Sequence, residues 1–133
     1  MAKAAILEKP GEGLVIGDIE VADPMPHEVL IDTKACGLCH SDLHFIDGHY
    51  PHPLPCIPGH EAAVIVRAVG SEVKTVKPVD HVVSGLSAFC GTCEFCVTGR
   101  MALCLGGATR RGKTDAPRMT RSGGEPVNQM LNL

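Results

Sequence analysis

Four cysteines in the second half of the chain constrain its fold more than any other feature of the sequence. They follow the spacing C-x2-C-x2-C-x7-C at Cys90, Cys93, Cys96 and Cys104. Thiols this close in sequence can surround one tetrahedral ion, and four thiolates that fill every coordination position are typical of structural zinc. Disulfides are the poorer interpretation, because the first three cysteines are too close together to find separate partners without strain. The spacing therefore predicts a structural zinc lobe over residues 90–104.

The composition indicates a single β-rich domain that is soluble. The chain has 133 residues, of which 44% are hydrophobic, 20% charged and 3% aromatic, and this length suits one hydrophobic core. The 15 glycines and 10 prolines favour a turn-rich β structure over a helical bundle. A formal charge of −3 gives no reason to expect nucleic acid or an anionic membrane as a partner.

The cysteine content and the N-terminus bear on the compartment. The apolar run over residues 1–7 is too short for a signal peptide, and no stretch approaches the length of a membrane span. Seven cysteines, an odd number, in a chain without an export signal favour reduced, metal-binding thiols over disulfides. We therefore expect a cytoplasmic protein.

Short β-prone segments, separated by glycine and proline turns, follow one another before the cysteine cluster. In the second of them, Leu14, Ile16 and Ile19 are expected to face inward. Almost no helical periodicity is visible, so the pattern predicts a mainly β fold, either a small barrel or a sandwich. The predicted strands are residues 3–7, 14–21, 29–36, 62–69 and 81–84.

A second group of polar, metal-capable side chains follows the third predicted strand. A catalytic zinc uses three protein ligands and leaves one position for water or substrate, and Cys39 and His60 could supply two of the three. Asp42 is suited to accept a hydrogen bond from a ligand histidine and to fix its tautomer. Ser41 and His44 could pass a proton outward. On the residues alone, ordinary surface or core histidines stay an open alternative.

Residues 105–133 carry little apolar patterning and predict an irregular, loop-like tail, with the start of another element at residues 127–131. Within this tail, residues 107–114 fit G-x-x-x-x-G-K-[ST], the pattern of a phosphate-binding loop. That chemistry needs a buried strand before the loop and a helix after it. The cysteine lobe precedes the pattern and a proline- and glycine-containing segment follows it, so a basic loop is the better interpretation.

Three motifs, in this order, resemble the zinc-dependent medium-chain alcohol dehydrogenases: residues 36–42, residues 59–61 and the four-cysteine lobe. The resemblance covers about residues 3–104. It implies a GroES-like β-barrel catalytic domain followed by a Rossmann domain that binds NAD(P). It also implies hydride transfer between an alcohol and NAD(P), with aldehydes or ketones as the oxidised partners and a homo-oligomer as a further expectation.

The resemblance also implies roles for individual residues. The four cysteines of the lobe match structural zinc ligands, and Glu61 matches an acid beside the catalytic zinc. His40 matches a position that often contacts the pyrophosphate of the cofactor. Cys39 and His60 match two ligands of the catalytic zinc, and Asp42 matches the acid behind them. Ser41 and His44 match a proton relay.

The sequence also departs from the family pattern. No third ligand for the catalytic zinc follows residues 59–61, and no dinucleotide fingerprint is present, because residues 11–16 lack its last glycine. We therefore expect one incomplete GroES-like domain over residues 1–133, without a Rossmann domain. The alternatives are a non-catalytic zinc-binding module, an inactive fragment, or a GroES-like co-chaperonin, although a co-chaperonin needs neither cysteine cluster.

Val79 is a smaller departure, because the family has glycine in the corresponding Pro-Gly-Asp turn. With a positive φ, a β-branched residue there would cost on the order of 1 kcal/mol or more. In a type I turn the same residue would be tolerated.

Overall fold

Eight strands and two short α-helices make up the part of the chain that the computed structural model describes, residues 1–105 and 115–130. A 3-10 turn, Met101–Leu103, lies within the lobe and leads to Cys104. The strands are β1 (Ala2–Ile6), β2 (Val15–Val21), β3 (Val29–Cys36), β4 (Cys56–Ile57), β5 (Ala62–Val69), β6 (His81–Val83), β7 (Met119–Thr120) and β8 (Pro126–Gln129). The helices are α1 (His40–Ile46) and α2 (Glu94–Val97).

The strands form two sheets. The larger has the order β1-β2-β7-β8-β4, and it almost closes because Leu7 forms an antiparallel bridge with Cys56. Reciprocal backbone hydrogen bonds of 2.8 and 3.0 Å make this bridge. The smaller sheet has the order β3-β5-β6. The predicted mainly β, barrel-like fold is confirmed, with the four-cysteine lobe following β6.

The core of the larger sheet is formed by Ile6, Ile19, Met119 and Val127. Ile19 faces inward as expected, but the expectation for Leu14 and Ile16 was wrong, since they are 40% and 67% exposed. Side chains alternate along a strand, so the inward face that carries Ile19 also carries position 17. Gly17 occupies it, and a Cβ there would lie 3.0 Å from Ile6 Cδ1. Ile16 therefore points outward, and Leu14 lies before the start of β2.

Helix α1 was missed by the strand-dominated prediction. Seven residues form too few turns to show a helical period, and so short a helix depends on its tertiary contacts. Its start does carry a local signal, since Asp42 accepts a 3.0 Å hydrogen bond from the Cys39 backbone N–H. This carboxylate at the third helical position resembles one half of a capping box. The helix buries Asp42 and Phe45.

The tail contains β7, which the prediction of an irregular loop did not include, and β8, which overlaps the element predicted to start at residues 127–131. β7 pairs with β2 and β8 pairs with β4, so residues 119–120 and 126–129 complete the larger sheet. These strands are too short for alternation to be visible, and although they pair with each other, their other partners, β2 and β4, lie far away in sequence. Side-chain contacts also attach the tail, including a 2.7 Å ion pair between Arg118 and Glu28. The phosphate-loop pattern at residues 107–114 lies outside the described residues.

The helices of the described residues include none with the length and hydropathy that a membrane span requires.

The turn at residues 77–80 resolves the alternatives for Val79. Its φ is +77°, and the Asp80 N–H donates a 3.1 Å hydrogen bond to the Lys77 carbonyl. Proline at the second position and positive φ at the third are the features of a type II turn, which favours glycine at the third. The Val79 N–H donates a 2.8 Å hydrogen bond to the Val66 carbonyl, and the Val66 N–H donates a 2.9 Å bond to the Asp80 carbonyl. These bonds hold the turn against β5, so the positive φ and its strain at Val79 are retained.

We predict that Val79→Gly stabilises the chain. Removing a β-branched side chain from positive φ relieves about 1–3 kcal/mol, and the greater flexibility of glycine when unfolded offsets roughly 0.5–1 kcal/mol of that. Urea unfolding should show a net gain of about 1 kcal/mol. Val83→Gly is the control, because Val83 is 80% exposed in β6 and glycine should weaken a strand. Equal destabilisation by both substitutions would contradict the prediction.

Candidate metal centres

The four cysteines of the lobe lie at distances suited to one metal ion. The Sγ–Sγ distances are 3.5 Å for Cys93–Cys96, 3.8 Å for Cys93–Cys104 and 3.9 Å for Cys90–Cys96. A zinc ion with Zn–S bonds near 2.3 Å requires tetrahedral edges of about 3.8 Å. All seven cysteines of the chain are free thiols in this structure. The sulfur positions therefore fit a tetrathiolate ion and exclude a disulfide in this conformation.

Local hydrogen bonds shape the lobe around these sulfurs. The backbone N–H groups of Cys90 and Cys93 donate to the sulfurs of Cys104 and Cys90, each over 3.3 Å. Cys93 precedes α2 and Cys96 lies within it, so one helical turn brings their sulfurs together. The chain then returns through the Met101–Leu103 turn to Cys104, which is buried. The lobe thus holds all four sulfurs by contacts within 15 consecutive residues, 90–104.

The thiols of the lobe differ in acidity. Hydrogen bonds from the Thr92 hydroxyl and from nearby backbone N–H groups lower the pKa of Cys90 to about 6. Loss of hydration, reinforced by the neighbouring Cys93 thiol, raises the pKa of Cys96 to about 11. Cys90 therefore loses its proton more readily than Cys96 does. A divalent cation that binds the cluster displaces the protons that the remaining thiols still hold. Binding should therefore weaken as the pH falls, since metal ligation requires thiolates.

The second candidate site depends on the pairing of β3 with β5. Their register ends with Cys36 opposite Ala62, and the Gly37 N–H extends it by donating a 2.8 Å hydrogen bond to the Glu61 carbonyl. This pairing places the start of α1 beside the residues that precede β5. As a result, ligand atoms of Cys39, His60 and Glu61 all lie within 4.8 Å of one another.

Asp42 connects the two principal ligand candidates. One carboxylate oxygen accepts the hydrogen bond from the Cys39 N–H, and the other lies 3.3 Å from His60 Nδ1. Asp42 and His60 are each only 6% exposed, and neither of these facing atoms has a hydrogen-bond partner among the described residues. A buried carboxylate against Nδ1 favours a proton on that nitrogen. The Nε2 lone pair is then free for a metal ion, so the residues fit a zinc site.

The Ser41 hydroxyl also lies in this site. It donates to Cys39 Sγ over 3.3 Å and lies 3.5 Å from His60 Nε2. The other predicted relay residue, His44, lies one turn further along α1, with its Nδ1 3.4 Å from Nδ1 of His49. His40 is exposed on the same helix, its ring 4.9 Å from that of His44. Neither His40 nor His44 belongs to the group of three ligand candidates.

Two residues that support the site were not identified from the sequence. The Ser84 hydroxyl donates a 2.6 Å hydrogen bond to the His60 carbonyl and accepts a 2.8 Å bond from the Ala62 N–H. Ser84 is 24 residues from His60, so only the β5–β6 pairing could have revealed it. Gly37 is the second, since a Cβ there would lie 2.3 Å from Glu61 Oε2 and 3.0 Å from Glu61 Cβ.

The cysteine in the proline-rich segment at residues 51–58 lies elsewhere in the fold. Cys56 is fully buried in β4, where it pairs with β8 and bridges to Leu7. Burial raises the pKa of the Cys56 thiol, and it belongs to neither cluster of ligand candidates among the described residues. Its role is to fill the wall of the barrel.

Comparison with known proteins places these features in a family context. The family described as "Alcohol dehydrogenase GroES-like domain" matches residues 25–124. The NDMA-dependent alcohol dehydrogenase of Amycolatopsis methanolica is 48% identical over 107 residues, which cover 80% of this chain and 29% of that protein. The class-3 alcohol dehydrogenase of Pisum sativum is 43% identical over 134 residues, covering 97% of this chain and 35% of that protein.

A solved structure agrees with the sequence comparison. The alcohol dehydrogenase zinc-binding domain protein from Burkholderia ambifaria superposes with a TM-score of 0.84 at 36% identity. The superposition covers 96% of this chain and 35% of that one. The present chain thus spans about a third of the length of the proteins that it matches.

We predict that Cys93→Ser removes the metal of the lobe. Structural zinc contributes its binding energy to folding, about 10 kcal/mol or more, so both zinc content and melting temperature should fall. Elemental analysis should show about one ion fewer per chain. Cys36→Ser, at an exposed thiol outside both clusters, is the control and should retain the zinc. Unchanged zinc content and melting temperature in Cys93→Ser would exclude the structural site.

We predict that Gly37→Ala weakens the second site and spares the lobe. The added methyl group would displace Glu61, so zinc affinity at this site should fall by roughly tenfold, as when a supporting contact of a metal ligand is lost. Competition with a chromophoric chelator measures both sites. Gly13→Ala is the matched control, because a Cβ there meets no atom within 4 Å. Identical zinc affinities in the two variants would contradict this view of Glu61.

Proposed function

This chain belongs to the family of alcohol dehydrogenase GroES-like domains, and we propose on that basis that it forms the zinc-binding part of an oxidoreductase. In this proposal the enzyme transfers a hydride between an alcohol, or the corresponding aldehyde, and NAD(P). The observation that carries the proposal is the buried Asp42 carboxylate, which lies against both Cys39 and His60. A merely structural histidine would not require a buried carboxylate behind one ring nitrogen and a thiol near the other.

The chain would hold two zinc ions with different tasks. The four cysteines of the lobe would hold a structural ion, and Cys39 and His60 a catalytic one, with Glu61 beside it. When bound, the catalytic zinc supplies a Lewis acid that lowers the pKa of an alcohol, and NAD(P) accepts the hydride. Glu61 is exposed, so it can approach or leave the ion more freely than the two other ligands.

Asp42 is proposed to position the ligands. Its contact with His60 Nδ1 holds the imidazole in one tautomer and one orientation, while its contact with the Cys39 N–H fixes the start of α1. Because the carboxylate is buried, it also balances part of the charge of a cation in the pocket. Ser84 performs the corresponding task on the backbone, since it holds the carbonyl of His60 beside β6.

Ser41 is proposed to accept the proton that an alcohol must lose. An alcohol oxygen that approached Cys39 and His60 would meet the Ser41 hydroxyl, which lies within 3.5 Å of both ligand atoms. His44, three residues later on α1, is the proposed next carrier. Its Nδ1 faces exposed His49 at 3.4 Å, which provides a route to solvent.

The cofactor and the domain organisation are proposed at a coarser level. His40 is exposed at the first turn of α1, where it could contact a pyrophosphate of NAD(P). Residues 1–133 would form one GroES-like domain with the zinc lobe at residues 90–104, and a Rossmann domain would supply the rest of the cofactor site. Seven free thiols support a reducing, cytoplasmic compartment, and assembly into homo-oligomers is an expectation for the whole enzyme.

A non-catalytic zinc-binding module is the second candidate. The observation in its favour is that the lobe offers four sulfurs within one short segment, whereas the second site offers three ligand candidates of which one is exposed. The two candidates differ in metal content. A module held by its lobe binds one zinc tightly, and the catalytic proposal requires a second ion at Cys39 and His60.

A chimera tests catalysis directly. Residues 25–124 would replace the matching segment of the Amycolatopsis methanolica alcohol dehydrogenase, which supplies the remainder of an enzyme. The proposal predicts two zinc ions per chimeric chain and alcohol oxidation. The His60→Ala chimera should retain the structural zinc and lose turnover. A folded chimera with both zinc ions and no turnover would contradict the catalytic proposal.

We predict that Asp42→Asn loosens the catalytic zinc without unfolding the lobe. The amide keeps the shape of the side chain but loses the charge that favours the required tautomer of His60. Zinc affinity at the second site should fall by about 10–100-fold, while a chelator should remove the lobe zinc as slowly as from the unmodified chain. Asp32→Asn, at a half-buried carboxylate of β3, is the control. Equal affinities in both variants would disprove a positioning role for Asp42.

A further inference from the structure

A cluster of three histidines lies beside the proposed catalytic site and is not part of either group of zinc ligand candidates. His40 and His44 are four residues apart on α1, so both project from one side of the helix. His49 follows the helix and turns back toward it, with its Nδ1 3.4 Å from Nδ1 of His44. The rings of His44 and His49 meet edge to face, with centroids 5.6 Å apart.

The distance between the two nitrogens has a chemical meaning. A tetrahedral zinc ion with Zn–N bonds of 2.0–2.1 Å requires its nitrogen ligands to lie about 3.4 Å apart. The two nitrogens share a hydrogen bond, and a cation that displaced its proton would find the separation that two imidazoles adopt around one such ion. His49 is exposed and His44 half-buried, so an ion could reach them from solvent.

We propose that His44 and His49 form a third, low-affinity site for a borderline divalent cation such as Zn²⁺ or Ni²⁺. Imidazole nitrogens are preferred ligands for these ions. Among the described residues, no third ligand candidate lies close enough to join this pair in a metal-binding group. Water therefore completes the coordination. Such a site binds reversibly and responds to the concentration of free metal.

The site has a consequence that depends on the proposed function. His44 is the proposed proton carrier after Ser41, and a cation on its Nδ1 would occupy the nitrogen that faces His49. Bound metal would then withhold His44 from proton transfer. Excess zinc would therefore act as an inhibitor at a position separate from both zinc ligand sets. The binding itself rests on the geometry of the two imidazoles alone.

Titration of the zinc-loaded chain with Ni²⁺ tests the binding. Calorimetry should show one weak event beyond the tightly held zinc, and paramagnetic Ni²⁺ should broaden the imidazole NMR signals of His44 and His49 before those of other histidines. His49→Asn removes one of the two ligands. Loss of a contact that merely supports a ligand lowers metal affinity by roughly tenfold, so the Ni²⁺ affinity should fall by at least that factor. His27→Asn, at an exposed histidine between β2 and β3, should leave the event unchanged.

The outcomes separate this site from the proposed catalytic one. Retention of the Ni²⁺ event in His60→Ala together with its loss in His49→Asn supports the histidine pair, whether or not the catalytic proposal holds. An unchanged event in His49→Asn, or broadening that begins at His60, would overturn the inference. So would an equal loss of affinity in His27→Asn.

Discussion

The antiparallel pairing of β3 with β5 determines where the second candidate metal site forms. It runs from Val29 opposite Val69 to Cys36 opposite Ala62, and it delivers the start of α1 and the residue before β5 to the same point. Cys39 and His60 are 21 positions apart in sequence and adjacent in space because of this register. A shift of one residue would reverse the direction of every side chain along β5. The site therefore depends on the smaller sheet, although most of the core lies in the larger one.

The two candidate metal centres are held together in different ways. The lobe is assembled from one short segment whose backbone N–H groups bond to its sulfurs, so a metal ion bound there would support the local fold. The second site brings together distant segments, and a buried carboxylate has to hold them in place. Burial of Asp42 against His60 is costly without a partner charge, and a cation bound nearby would offset that cost. This difference explains why one site looks complete and the other requires a positioning network.

The sequence was sufficient for the lobe and for the type of fold, because thiol spacing and β-prone segments are local signals. It was insufficient where the outcome depends on distant partners. Ile16 was expected in the core because the register that turns position 17 inward is not visible in the sequence. β7 was not predicted, and β8 was expected only as the start of an element, because each also pairs with a strand far away. Helix α1 was too short to show a period. Gly37 and Ser84 support the second site through close contacts across strands, for which a single sequence carries no signal.

Cys39 and His60 belong to a candidate metal site that is distinct from the four-cysteine lobe. Crystals of the zinc-loaded chain, measured on both sides of the zinc absorption edge, would locate the ions by anomalous diffraction without reference to activity. For two separate sites, the expected result is two peaks, one surrounded by the four sulfurs and one between Cys39 Sγ and His60 Nε2. A single peak at the lobe would contradict this expectation. So would a second zinc ion that His60 binds through Nδ1, with Asp42 displaced.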